Sequence, residues 1–319
     1  GIKVNEYLQT SDENIYAVGD AIEVKHYING AESLIPLAWP ANRQGRIVAD
    51  TILGIRQKPY TGSLGTSILK AFDLTVSATG LNEKTLKRLG IPYMVTTVNR
   101  NDHASYYPGA TPLTLKLIFN KEGDILGAQA IGYKGVDKRI DIIATAIKGN
   151  LKVWDLQEVE VAYAPPYNSA KDPVNIAGYA AENMINGEHE TFRYFEIDEL
   201  LQDSNYQLLD VRTKMENRLG TIKDSINIDV NELRDNLGSL NRDKTYLVFC
   251  QVGLRGYLAY RILVQNGFKV KNLDGGYRLW SHTVQEQENK NIFKENNFKH
   301  KDLNSFEKVK ELVDEEKEV

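Results

Sequence analysis

Residues 245–261, TYLVFCQVGLRGYLAYR, run an apolar β-type segment into a short loop and then an amphipathic helix, with Cys250, the only cysteine of the chain, at the junction. A strand feeding a helix through so short a loop is a unit of alternating β/α architecture. It also makes a thiol reactive. Loop amides converge on the sulfur, the partial positive charge of the helix start favours thiolate over thiol, and Arg255 adds a full positive charge. A structural cysteine needs none of this.

Two further segments support the same architecture. QLLDVR (207–212) reads as a buried strand ending in Asp210 and Arg212, and KVKNLDGGYRLW (269–280) as a strand, a Gly-Gly turn and a helix start. Alternating strands and helices with short connections imply a parallel sheet, whose ligand sites lie at the carboxyl ends of its strands. Cys250 falls at such an end. Gly253 and Gly256 are expected to let the loop curl with its amides inward, and Gly275 and Gly276 simply to turn the chain. Asp210 and Arg212 read either as a catalytic pair or as a structural ion pair bracing the sheet end.

Together these residues resemble the rhodanese sulfurtransferase domain, over about 190–285. The resemblance implies that Cys250 accepts a sulfane sulfur and becomes a persulfide held by the loop Gln251, Val252, Gly253, Leu254 and Gly256, with Arg255 beside it. The loop from Cys250 to Arg255 encloses four residues, as in single-domain rhodaneses. Phosphatases of the same fold use one residue more, because a tetrahedral phosphate needs a wider cradle.

A length of 319 residues suggests about two domains. The net charge of −4 gives no reason to expect nucleic acid, and the apolar runs are too short for a membrane span. One cysteine excludes an internal disulfide framework, so the expected compartment is the cytoplasm. His26, His103, His189, His282 and His300 are scattered without ligand spacing, and no metal site is expected.

Residues 1–60 read as the end of a domain. Asn14 to Val18 reads as a strand, Gly19 lets the backbone turn, and Asp20 presents a carboxylate suited to polyol hydroxyls. PLAWPANRQGRIVADTILG (36–54) reads as a helix with Pro40 near its first position and Gly54 as its stop. The run T-x-x-x-x-I-Y-A-V-G-D from Thr10, followed by W-P-A-N-R-Q-G-R from Trp39, resembles the flavin-binding stretch of the pyridine nucleotide-disulfide oxidoreductases. That resemblance implies FAD, with Gly19 and Asp20 at the ribityl chain and the backbone of Ala38, Trp39, Pro40 and Asn42 at the isoalloxazine ring. For Trp39 the plain alternative is core packing.

Residues 65–186 resemble the dimerisation domain of the same family, which implies a homodimer. Here 66–80 reads as a strand, 81–90 as a helix closed by Gly90, 93–98 as a strand, 113–132 as a hairpin around Lys121 to Asp124, and 136–149 and 171–186 as helices. Within it, HASYYPGA (103–110) and VAYAPPYNSAKDP (161–173) resemble coenzyme A-disulfide reductase, in which two tyrosines reach the partner's active site. Tyr106 or Tyr107 is expected to supply one hydroxyl and Tyr163 the other, with Tyr167 in reserve. A phenol donates to a thiolate at neutral pH without carrying charge itself. The His-Glu acid–base pair of other disulfide reductases is not evident.

GEHET (187–191) reads as the linker, leading into the strand-like TFRYFEI (191–197), and 286–319 as a charged tail, either disordered or a docking helix with Asn304 and Glu307 as its capping box. The expected whole combines the end of a flavin-binding domain, an α+β dimerisation domain and a parallel-sheet α/β rhodanese domain. It resembles the C-terminal portion of a coenzyme A-disulfide reductase fused to a rhodanese. NAD(P)H, coenzyme A and small sulfur compounds are implied as cofactor, carrier and substrates. The rivals are a non-catalytic dimerisation and docking fragment, and a phosphatase or arsenate reductase on the rhodanese fold. The dinucleotide-binding glycine motif and a redox cysteine near the flavin are absent from the sequence.

Overall fold

The computed structural model describes residues 1–284. The expectations for the charged tail lie outside the described residues.

Residues 190–284 form a five-stranded parallel sheet in the order 226–227, 206–210, 245–249, 269–273, 191–192. The strand Thr245–Phe249 sits at its centre, paired in register with Tyr206–Asp210 on one side and Lys269–Leu273 on the other. Both faces are covered, as a parallel sheet requires. Leu209, Val248 and Val270 pack with Ala259 and Leu263 of the helix Leu254–Gln265, while Leu208, Leu247 and Leu273 pack with Phe192 and Ile197 on the other face.

The preceding unit is a five-stranded antiparallel sheet in the order 67–71, 74–80, 125–132, 112–119, 94–101. Helices Val136–Lys148 and Pro173–Ile185 bury Ile140, Ile143, Val174 and Ala177 against one face. The short helix Glu83–Leu89, capped by Asn82 and closed by left-handed Gly90, packs Leu86 on the other. The two units together give the mixed architecture that the sequence implies.

Several local readings are corrected. Residues 66–80 are a hairpin, Ser67–Ala71 with Leu74–Gly80, turning through Phe72 and Asp73. Phe72 takes the left-handed backbone, φ 52°, without the Asn-Gly signal that usually marks such a turn. Asn14 to Val18 is not a strand: Tyr16 makes a single bridge to Gln9, with no neighbouring strand to extend it. The helix spans Ala38–Ile52, so Pro40 is its third residue. TFRYFEI is extended only over Thr191–Phe192 and then coils into helical turns at Tyr194–Glu196 and Ile197–Leu200.

Residues 1–62 carry a small apolar cluster of Leu8, Ile22, Val24 and Ile47. No helix among the described residues is long and apolar enough to cross a membrane.

Candidate active site

Cys250 follows the central parallel strand and is 1% exposed, at the mouth of the helix Leu254–Gln265. Gly253, at φ 112°, caps that helix with no side-chain hydrogen bond and donates its N–H to the Cys250 Sγ at 3.2 Å. Only glycine holds such a backbone without strain. Gly256 one turn on has no room for a side chain: an added Cβ would stand 2.2 Å from the Asn272 Oδ1.

The Gly275-Gly276 turn does more than reverse the chain. A Cβ on Gly276 would lie 2.7 Å from the Cys250 carbonyl oxygen and 2.9 Å from the Val252 nitrogen. The N–H groups of Tyr277 and Arg278 donate to the Cys250 and Gln251 carbonyls at 2.8 and 3.0 Å. This turn is therefore the floor of the cysteine loop, and both glycines take positive φ to make it. Just before it, Asp274 docks on the antiparallel unit. Its carboxylate accepts the Thr97 N–H and hydroxyl, each at 2.7 Å, and Asn99 Nδ2 donates to the Gly275 carbonyl at 2.9 Å. Burial pushes the Asp274 carboxyl up, with Arg193 and Thr97 opposing.

Asp210 and Arg212 are fully buried and paired, Nη2 to Oδ2 at 2.8 Å. Arg212 also donates to the Gly220 carbonyl and to the Gln251 Oε1, and its guanidinium lies 4.0 Å over the Tyr277 ring. With Nε, Nη1 and Nη2 all donating, the guanidinium links the strand end at Asp210 to the loop at Gln251. Arg255, read from the sequence as a positive charge beside the sulfur, has a carboxylate partner. Its Nη1 and Nη2 form a two-point pair with Glu216 at 2.7 and 2.6 Å. That pairing, helped by Thr213, holds the Glu216 carboxyl at about 2.

Glu216 and His189 were given no role in the sequence reading. Thr213-Lys214-Met215-Glu216 has the spacing of a capping box, which it forms, so Glu216 was within reach of that signal. His189, in the segment read as a linker, packs edge-on to Tyr257 and Tyr260, and its Nε2 meets the Asn272 Nδ2 at 3.0 Å. Burial, with Arg261 adding, lowers its pKa to about 4.

In the antiparallel unit the two tyrosine segments meet. Tyr106 and Tyr163 place their hydroxyls 3.2 Å apart, both rings exposed, and the contact raises the Tyr163 pKa. Tyr107 turns away to face the His103 ring edge, and Tyr167 is exposed without joining the pair. Arg139, 1% exposed, ties the segments together. It donates to the Asp102 carbonyl and the Asn168 Oδ1, each at 2.8 Å, and pairs with Asp172 at 3.0 Å. No sequence signal marked Arg139, since arginine on a helix is normally solvated.

Near the N-terminus, Gly19 at φ 79° donates its N–H to the buried Gln44 Oε1 at 2.7 Å. This sets exposed Asp20 beside the start of the helix Ala38–Ile52. No side chain caps that start, and Asn42 Nδ2 donates back to the Ala38 carbonyl. Trp39 is 75% exposed, which excludes core packing within the described residues. An open cleft of about 1150 Å³ runs from Ala38, Trp39 and Pro40 to Ser67 and Ile68.

Residues 66–173 match the model of the pyridine nucleotide-disulphide oxidoreductase dimerisation domain, and residues 196–283 that of the rhodanese-like domain. The antiparallel unit thus carries the first match and the parallel-sheet unit the second. Coenzyme A disulfide reductase of Staphylococcus epidermidis is 41% identical over 182 residues, 57% of this chain and 41% of that one. The crystal structure of reduced Bacillus anthracis CoADR-RHD is 57% identical with a TM-score of 0.87, over 89% of this chain and 51% of that one. An NAD-dependent persulfide reductase from A. fulgidus is 39% identical with a TM-score of 0.80, over 88% and 50%. Over the matched residues the chain is similar to coenzyme A disulfide reductases, with and without a rhodanese domain, and it spans 41% of the curated reductase and 51% of the Bacillus anthracis chain.

Proposed function

We propose that Cys250 carries sulfane sulfur as a persulfide, and that in the full-length protein this transfer is coupled to FAD- and NAD(P)H-dependent reduction of a coenzyme A disulfide, persulfide or polysulfide. One observation carries the reading: Cys250 Sγ sits at the carboxyl end of the central parallel strand and accepts the Gly253 N–H at an otherwise uncapped helix start.

The thiolate attacks the outer sulfur of a donor R–S–SH. A new S–S bond forms at Cys250, the donor S–S bond breaks, and the electron pair leaves on the donor sulfur as a thiolate. The Gly253 amide and the helix start oppose the negative charge of the enzyme persulfide. An acceptor thiolate, such as that of coenzyme A, then takes the outer sulfur by the reverse displacement and restores Cys250.

The N-terminal residues fit a flavin: exposed Asp20 suits ribityl hydroxyls, and the backbone at Ala38 to Asn42, where no side chain caps the helix start, suits an electron-rich ring edge. When bound, the flavin supplies hydride and electron transfer. Residues 1–60 are assigned to the end of that FAD-binding domain, 65–186 to a dimerisation domain forming a homodimer, and 190–285 to the rhodanese. Phe72, fully exposed with Ile68 and Leu69 on the same hairpin, favours an apolar contact there. Tyr106 and Tyr163 are assigned to hydrogen-bond the thiolate leaving group in the partner's site. The cytoplasm suits a chain with one free thiol.

Cys250→Ser tests the reading. A folded variant should lose sulfur transfer from thiosulfate to cyanide, and retained transfer would end the assignment.

A further inference from the structure

Resting on the persulfide reading of Cys250, we infer that Glu216 sets donor selectivity: by occupying Arg255 it disfavours small dianionic donors such as thiosulfate and favours persulfides, which react as donors in their neutral, protonated form.

The geometry closes the pair from both sides. Both terminal nitrogens of Arg255 are engaged by the two oxygens of Glu216. Glu216 is held in turn, its Oε2 accepting the N–H and the hydroxyl of Thr213, each at 3.0 Å, so the carboxylate cannot swing aside without uncapping the helix Lys214–Arg218. It stays ionised throughout the neutral range. Asp229 adds further negative potential at Arg255. The other guanidinium beside the loop, Arg212, is paired with Asp210 and covered by Tyr277. An anion reaching Cys250 therefore meets loop amides and two guanidinium groups whose charge is already matched.

The two donors differ in what this costs. With thiosulfate, the Cys250 thiolate takes the outer sulfur, the S–S bond breaks, and sulfite leaves with the bonding pair, so a dianion must approach a thiolate and a dianion must leave. A protonated persulfide brings no charge to the loop. Arg255 and Glu216 are each 31% exposed, at the rim of the site, where their net charge governs the approach of small ions.

The test is single-turnover loading of Cys250, followed by mass spectrometry, with thiosulfate and with glutathione persulfide. Glu216→Gln keeps an oxygen acceptor for the Thr213 cap while removing the charge. It should raise the thiosulfate rate relative to the persulfide rate by roughly tenfold, mainly through tighter thiosulfate binding, with the gain shrinking as salt is added. An unchanged ratio in the folded variant would overturn the inference alone. Should Glu216→Gln not fold, the unmutated protein decides: alkylation of Cys250 by anionic iodoacetate, relative to neutral iodoacetamide, should show no enhancement over a free thiol. A strong preference for iodoacetate would overturn the inference. If neither donor loads Cys250 in the unmutated protein, the persulfide reading fails and this inference falls with it.

Discussion

The hydroxyls of Tyr106 and Tyr163 lie 3.2 Å apart although 57 residues separate them in the chain. Two phenols at that spacing can share one acceptor between them, which an isolated tyrosine cannot do. On the proposed function, each Tyr→Phe change in the full-length protein should slow coenzyme A disulfide turnover by about tenfold to a hundredfold, the loss of one hydrogen bond to a charged sulfur. Flavin absorbance should not change. Tyr107→Phe should behave as the unmutated enzyme, and a larger loss there than at Tyr106 would reverse the assignment.

Arg139 holds both tyrosine segments from beneath. Arg139→Met would leave the buried Asp172 carboxylate without its countercharge, and the expected loss is about 3–5 kcal/mol of stability by urea denaturation. Arg139→Lys keeps the charge but not the fork. It should recover much of the stability while kcat stays depressed, because lysine loses the Nη1 donation to the Gly135 carbonyl that fixes the plane in which Nη2 meets Asp102, Asn168 and Asp172. Full recovery of kcat in the lysine variant would limit Arg139 to a charge role.

The cysteine loop was legible because its strand, loop and helix are contiguous, and their periodicity switches at Cys250 itself. What stayed hidden depends on partners far along the chain. Arg255 reads as a positive charge beside the thiol, and nothing local announces that Glu216, 39 residues away, pairs with it. Gly276 reads as a turn until its closeness to the Cys250 carbonyl is seen. His189 looks like linker polarity because nothing local announces the tyrosines that cover it. The hairpin at 67–80 was missed for a backbone reason, a left-handed phenylalanine in place of glycine or asparagine. In the tyrosine segments the resemblance named the residues, and the hydroxyl contact separates Tyr106 from Tyr107.

Asp274 joins the two units beside the turn that floors the cysteine loop. Asp274→Ala removes the acceptor for the Thr97 N–H and hydroxyl and should cost about 1–3 kcal/mol. Since the adjoining turn floors the loop, amide exchange at 250–253 should also quicken. Unchanged exchange in the folded variant would show that the loop keeps its shape without this contact.

His189 gives the stability a defined pH dependence. Its folded pKa is lowered to about 4 from 6.5, so the unfolded chain takes up the proton first as pH falls. The stability is complete above the unfolded value and declines between the two, by up to about 3 kcal/mol. Urea midpoints at pH 7 and pH 5 should therefore differ more for the unmutated protein than for His189→Gln. Equal differences would place the pH dependence elsewhere.

The most direct measurement is mass spectrometry of the intact protein and of the peptide carrying Cys250 after incubation with a persulfide donor. The account predicts the gain of one sulfur atom on Cys250, removed again by a thiol acceptor and absent in Cys250→Ser. A folded protein whose Cys250 gains no sulfur from any persulfide donor would contradict it.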